Sequence, residues 1–124
     1  MYSKAADYYR SGEYNCSQCI LKAAKEIYDI NITDEQIKSC SAVNNGFGTG
    51  GMCCVLIAAM MVFGMLFEED VARRLRLCLL SEFHSKYGNI NCGRMKGYSA
   101  SGKGCVDVID NIWNIMVCLI DSMS

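Results

Sequence analysis

Proline is absent from all 124 residues, where average usage of about 5% predicts about six. Long, unkinked helices suit that absence. Strand signals are also missing, because no run of alternating apolar and polar residues is bounded by hairpin turns. Neither sign of charge dominates: Lys and Arg number 12, Asp and Glu 13, and the net charge is -1. This excludes the electrostatic footprint of a nucleic-acid or anionic-membrane binder. The one basic cluster, Arg73-Arg74-x-Arg76, reads as the solvated face of a helix. Histidine occurs once, at His84 on a charged helix face, so no Ser/His/Asp set supports hydrolase or transferase chemistry.

Cysteine, by contrast, is abundant, with nine in the chain. A chain of this length forms a hydrophobic core without disulfide staples, and an odd count argues against a closed disulfide framework. The first residues, Met1-Tyr2-Ser3-Lys4, carry no apolar signal region. The expectation is one domain over 1–124, in the reducing cytoplasm.

Hydrophobic periodicity yields an all-α bundle of five or six helices around a central apolar helix at about 52–67. A short helix spans about Ser3 to Arg10 and breaks at Ser11-Gly12-Glu13. Asn15 caps a second, with Cys19, Ile20, Ala23, Ala24 and Ile27 at helical spacing up to about Tyr28. Thr33 and Gln36 form a capping box for a third, expected to reach about Val43. No charged residue occurs from Ser39 to Phe67, and MCCVLIAAMMVFGMLF, residues 52–67, is apolar on every face. It falls short of the ~20 residues needed to cross a bilayer, and acids follow at once. A helix apolar all round must be covered on all sides, by the other helices or by a second copy, so a homodimer is expected. Glu68 to Tyr87 is amphipathic, with Val71, Leu75, Cys78, Leu79 and Phe83 on one face and Gly88 as its stop. A glycine-rich stretch over 88–104 precedes a last helix from about Cys105 to Ser122, with Val108, Ile109, Ile112, Ile115, Met116 and Leu119 inward.

Four cysteines stand beside helix starts or glycines: Cys16 after Asn15, Cys53 after Gly50-Gly51-Met52, Cys92 between Asn91 and Gly93, and Cys105 after Gly104. A helix N-terminus favours thiolate over thiol, and thiolate attacks disulfides or binds metal. Cys16 and Cys19 form C-x-x-C at a helix start, without the preceding strand of a thioredoxin-like fold and without the histidine of a haem-attachment motif. Cys40, Cys78 and Cys118 sit inside helices beside apolar residues and read as core. Gly46-Phe47-Gly48-Thr49-Gly50-Gly51 lacks the strand and the βαβ unit of a dinucleotide fingerprint, and reads as backbone that approaches sulfur or an anion.

Asn15-Cys16, the glycine run ending in Cys53, Gly64, the pattern F-x-x-x-Y-G-x-x-x-C from Phe83 to Cys92, and Cys105 at the last helix resemble the C_GCAxxG_C_C family of redox proteins, from about Ala6 to Leu119. The resemblance assigns the family cysteines to Cys16, Cys53, Cys92 and Cys105. It also implies association with transport systems. The chain departs from the pattern where Cys53-Cys54-Val55-Leu56-Ile57-Ala58 replaces C-G-A-x-x-G, and where Cys19 stands in place of a small residue such as alanine. Cys19 and Cys54 are either accessory thiols that add redox capacity or small apolar positions that have drifted to cysteine.

Three functions are open. The first is electron transfer through a 2Fe-2S or 4Fe-4S cluster held by Cys16, Cys53, Cys92 and Cys105, all-thiolate ligation in a chain without a histidine ligand. The second is thiol–disulfide cycling, with Cys16 and Cys53, or Cys16 and Cys19, as redox thiols. The third is a four-cysteine zinc site in an accessory or sensor protein. A redox partner protein is implied in the first two, and any enzyme here is an oxidoreductase.

Overall fold

The computed structural model describes residues 2–44, 51–88, 90 and 104–123, without the side chains of 104 and 105. Six helices are present among the described residues, and the fold is an all-α bundle. They are α1 (Lys4–Arg10), α2 (Gln18–Ile27), α3 (Asp34–Lys38), α4 (Cys54–Leu66), α5 (Glu69–Tyr87) and α6 (Gly104–Ser122).

Local chemistry sets most of their ends. The Ser3 hydroxyl accepts the Ala6 N–H at 3.3 Å to start α1. Thr33 and Gln36 exchange the two bonds of the capping box at α3. The acids Glu69 and Asp70 open α5, where the helix dipole favours negative charge, and Gly88 closes it at φ 72°, a left-handed conformation that glycine adopts without a Cβ clash.

One core cluster draws on every helix: Ala5 and Ala6 of α1, Ile20 and Ala24 of α2, Ile37 of α3, Val55, Leu56, Ala58, Ala59, Val62 and Phe63 of α4, Leu75, Leu79 and Phe83 of α5, and Ile109, Ile112 and Met116 of α6. Helix α4 is the hub, packed on α2, α5 and α6, while α1 lies across α2 and α6. The Tyr2 hydroxyl donates to Asp107 at 2.8 Å and the Ser3 N–H to Asp110 at 2.6 Å, fixing α1 to α6. Asn111 Nδ2 donates to the Tyr87 hydroxyl at 2.5 Å, joining the end of α5 to α6.

Three expectations are corrected. Helix α3 stops at Lys38, beyond which the N–H groups of Cys40, Ser41 and Val43 bond to carbonyls three residues back, while Gln18 Nε2 donates to the Ile37 carbonyl at 3.0 Å and Asn15 Nδ2 to those of Cys40 and Ser41. Tighter turns carry the chain on to Val43. Cys78 and Cys118 are exposed, Cys78 one position before buried Leu79 and Cys118 midway between buried Met116 and Ile120 on the outer side of its helix. On α6, Trp113 and Ile120 are buried, and Ile115 and Leu119 are only partly covered. Within one copy the other helices alone do not cover α4, as Met61, Gly64 and Met65 are exposed. No helix among the described residues is long and apolar enough to cross a membrane.

Candidate functional site

The N-terminal turn of α2 holds the best-defined pair of thiols. Asn15 Oδ1 accepts the N–H groups of Ser17 and Gln18 at 3.1 and 2.9 Å, so Asn15 caps the helix as its sequence position predicts. Gln18 Oε1 returns the bond to the Asn15 N–H at 3.0 Å, completing a capping box that the sequence reading missed. The signal was there, in the three-residue step from Asn15 to Gln18. The same two side chains clamp this turn to the end of α3 through their amide groups. The buried Ser17 hydroxyl is satisfied by Asn15 Oδ1 at 2.9 Å.

Cys16 therefore lies in the capped turn that leads into α2, two residues before Gln18, and is half-buried. The partial positive charge of that end favours its thiolate. Cys19 lies one turn further, fully buried, and its thiol donates to the Cys16 carbonyl at 3.3 Å. Burial drives the Cys19 pKa far up, and the neighbouring Cys16 adds to the shift. Cys19 is thus held as a neutral thiol beneath a more accessible partner.

A second group forms at the start of α4. Cys53 is the residue before the helix and Cys54 its first, and both are buried. The Cys53 N–H donates to the Ile90 carbonyl at 2.8 Å, which draws the chain beyond α5 back onto the mouth of α4. Cys92 itself lies outside the described residues, as do residues 45–50 of the glycine run. Cys105 sits in the first turn of α6, with its side chain outside the description.

Cys40 is buried, with its thiol 3.8 Å from the Gln36 carbonyl, and serves the core as expected. His84 is exposed, as its charged surroundings predict. Among the described residues no group of three or more His, Cys, Asp or Glu side chains could hold a metal ion. Two members of the four-thiol set, Cys16 and Cys53, are described with their side chains.

The sequence pattern of one family, described as "Putative redox-active protein (C_GCAxxG_C_C)", matches residues 14–119. No curated protein and no solved structure matches the chain.

Proposed function

We propose, from the premise that the chain belongs to the C_GCAxxG_C_C family of redox-active proteins, that its redox chemistry is thiol–disulfide exchange at Cys16 and Cys19. The observation that carries this reading is the asymmetry of the pair. An accessible thiol sits at a capped helix start, with a buried thiol bonded to its carbonyl.

Exchange needs an attacking thiolate and a resolving thiol held close by. The Cys16 thiolate attacks one sulfur of a substrate disulfide; a Cys16–substrate S–S bond forms, the substrate's own S–S bond breaks, and the leaving sulfur takes up a proton. Cys19 then loses its proton and attacks the Cys16 sulfur. The Cys16–Cys19 bond closes and the second substrate thiol departs, so two electrons pass from the chain to the substrate. The high pKa of Cys19 delays this second step until the mixed disulfide forms and its proton is removed. Mass spectrometry after treatment with glutathione disulfide tests the scheme. Cys19→Ser is expected to retain a glutathione adduct on Cys16, while wild type resolves to an intramolecular disulfide. Retention of the adduct by wild type as well refutes the resolving role.

A second reading has its own support in the Cys53–Ile90 hydrogen bond, which ties Ile90, two residues before Cys92 in sequence, to the start of α4. There Cys16, Cys53, Cys92 and Cys105 would hold an iron–sulfur cluster, and the all-thiolate donor set fits such a group. A bound cluster supplies one-electron transfer. The chain's own part is to aim helix N-terminal N–H groups at sulfur, which tunes the potential. Zinc fits the same four thiolates and would stabilise the fold without redox change. Anaerobic purification with iron, zinc and acid-labile sulfide analysis separates the cases. Stoichiometric iron and sulfide, lost in Cys53→Ser and retained in Cys19→Ser, would establish the cluster; metal-free protein leaves thiol exchange.

A further inference from the structure

Helix α4 carries an outward stripe that the described residues leave uncovered. Ile57, Met60, Met61, Gly64 and Met65 recur at helical spacing, and all are at least partly exposed. On a surface helix this face is normally polar. A groove of about 340 Å³ continues the stripe toward α5, bounded by Met60, Gly64 and Phe67 on one side and by Glu69, Arg73 and Arg76 on the other. Gly64 sharpens the question. Glycine in a helix interior weakens the helix relative to alanine, yet a Cβ at this position would meet nothing within 4 Å. No contact within the chain calls for its smallness.

We propose that this face is the contact between two copies of the chain, with α4 of one copy antiparallel to α4 of the other and a two-fold axis near Gly64. The charges on the rim favour a copy over a different partner. The apolar centre has no charge to bury, and the rim carries both signs in order, with Glu69 at the Phe67 end of the groove and Arg73 and Arg76 toward the Met60 end. A two-fold axis at the middle exchanges those ends, so Glu69 of each copy lies opposite the arginines of the other. A partner helix of one charge would match only half of this rim. Self-complementarity is what a two-fold interface requires. The Glu69–Arg73 ion pair within one chain, at 2.7 Å, has both side chains mostly exposed and holds neither from such re-pairing. Gly64 then lets the two backbones approach closely.

The test is sedimentation equilibrium of the full chain over a concentration series, with dithiothreitol present so that the exposed Cys78 and Cys118 do not crosslink copies. Wild type is expected to be a dimer. Met61→Glu with Met65→Glu is expected to be a monomer whose helical circular dichroism is unchanged, since both positions are already exposed. A wild type that stays monomeric throughout, or binds phosphatidylcholine vesicles as a monomer, overturns the proposal, and so does a double variant that still dimerises. The register has its own check. Copies carrying Glu69→Lys and copies carrying Arg73→Glu with Arg76→Glu should each self-associate at least about tenfold more weakly, and recover when mixed. Failure of the mixture to recover removes the antiparallel arrangement.

Discussion

The Cys19 thiol donates to the carbonyl of Cys16 at 3.3 Å, so the deeper cysteine of the pair is tied to the backbone of the shallower one. Access to reagent should follow this order. Brief alkylation of the native, reduced protein with iodoacetamide, read by peptide mass spectrometry, is expected to modify Cys78, Cys118 and Cys16 well before Cys19, Cys40 and Cys54. Equal rates at Cys16 and Cys19 would contradict the asymmetry on which the exchange scheme rests.

Burial of Cys19 also couples stability to pH. Its folded pKa is raised, first by burial and then by Cys16, so the folded state keeps a proton that the unfolded thiol loses above about 8.5. This contribution is intact below that value and declines as pH rises through the alkaline range, by at most about 1.4 kcal/mol per pH unit. Urea titrations from neutral to alkaline pH should show wild type losing stability relative to Cys19→Ala. Parallel curves for the two proteins would remove Cys19 as the cause.

Asn15 combines two tasks that substitutions can separate. Asn15→Ala removes the helix cap, worth about 1 kcal/mol, and also the donor to the carbonyls of Cys40 and Ser41. Asn15→Asp keeps the cap and loses only the donor. Chemical denaturation should therefore rank wild type above Asn15→Asp and Asn15→Ala lowest. A reversal of the two variants would show that a carboxylate facing the Cys40 and Ser41 carbonyls costs more than the cap contributes.

Phe63 is fully buried at the centre of α4, whereas Ile27 near the end of α2 is 54% exposed. Phe63→Ala is expected to cost about 3–5 kcal/mol through lost transfer energy and the cavity left behind. Ile27→Ala should change stability by no more than about 0.5 kcal/mol. Comparable losses in a urea titration would mean that the hub of the core is not α4.

Tyr8 donates to Glu26, and that bond, with lesser help from burial, raises its pKa to about 12. Ultraviolet titration of tyrosinate should place one tyrosine near that value and return it toward the ordinary range in Glu26→Gln. A late tyrosine that persists in the variant would assign the shift to another residue.

Much of the helical order was legible because its signals are local. Asn15, the Thr33–Gln36 box and Gly88 all act within one turn, and all three perform as their residue types predict. The length of α3 was not legible. Past Lys38 the helical bonds give way to three-residue turns, and the side chains that hold this stretch, Asn15 and Gln18, lie far back in the chain where no local pattern records them. Cys78 and Cys118 were misread for a different reason: apolar neighbours say little about which face a residue takes. Cys16 and Cys53 stand out by position. The bond from Cys53 to Ile90 depends on how α4 and α5 fold back, and spacing alone does not reveal it.

The seating of α1 against α6 has a consequence for the order of events during synthesis. Tyr2 and Ser3 find Asp107 and Asp110 only across almost the whole chain. As the polypeptide leaves the ribosome, α1 and α2 emerge first and can pair, while the carboxylates that hold the start of α1 have not yet been made. Final closure of the bundle waits on translation of its last helix, and until then the small apolar face of α1, Ala5 and Ala6, is left partly open to solvent and to chaperones.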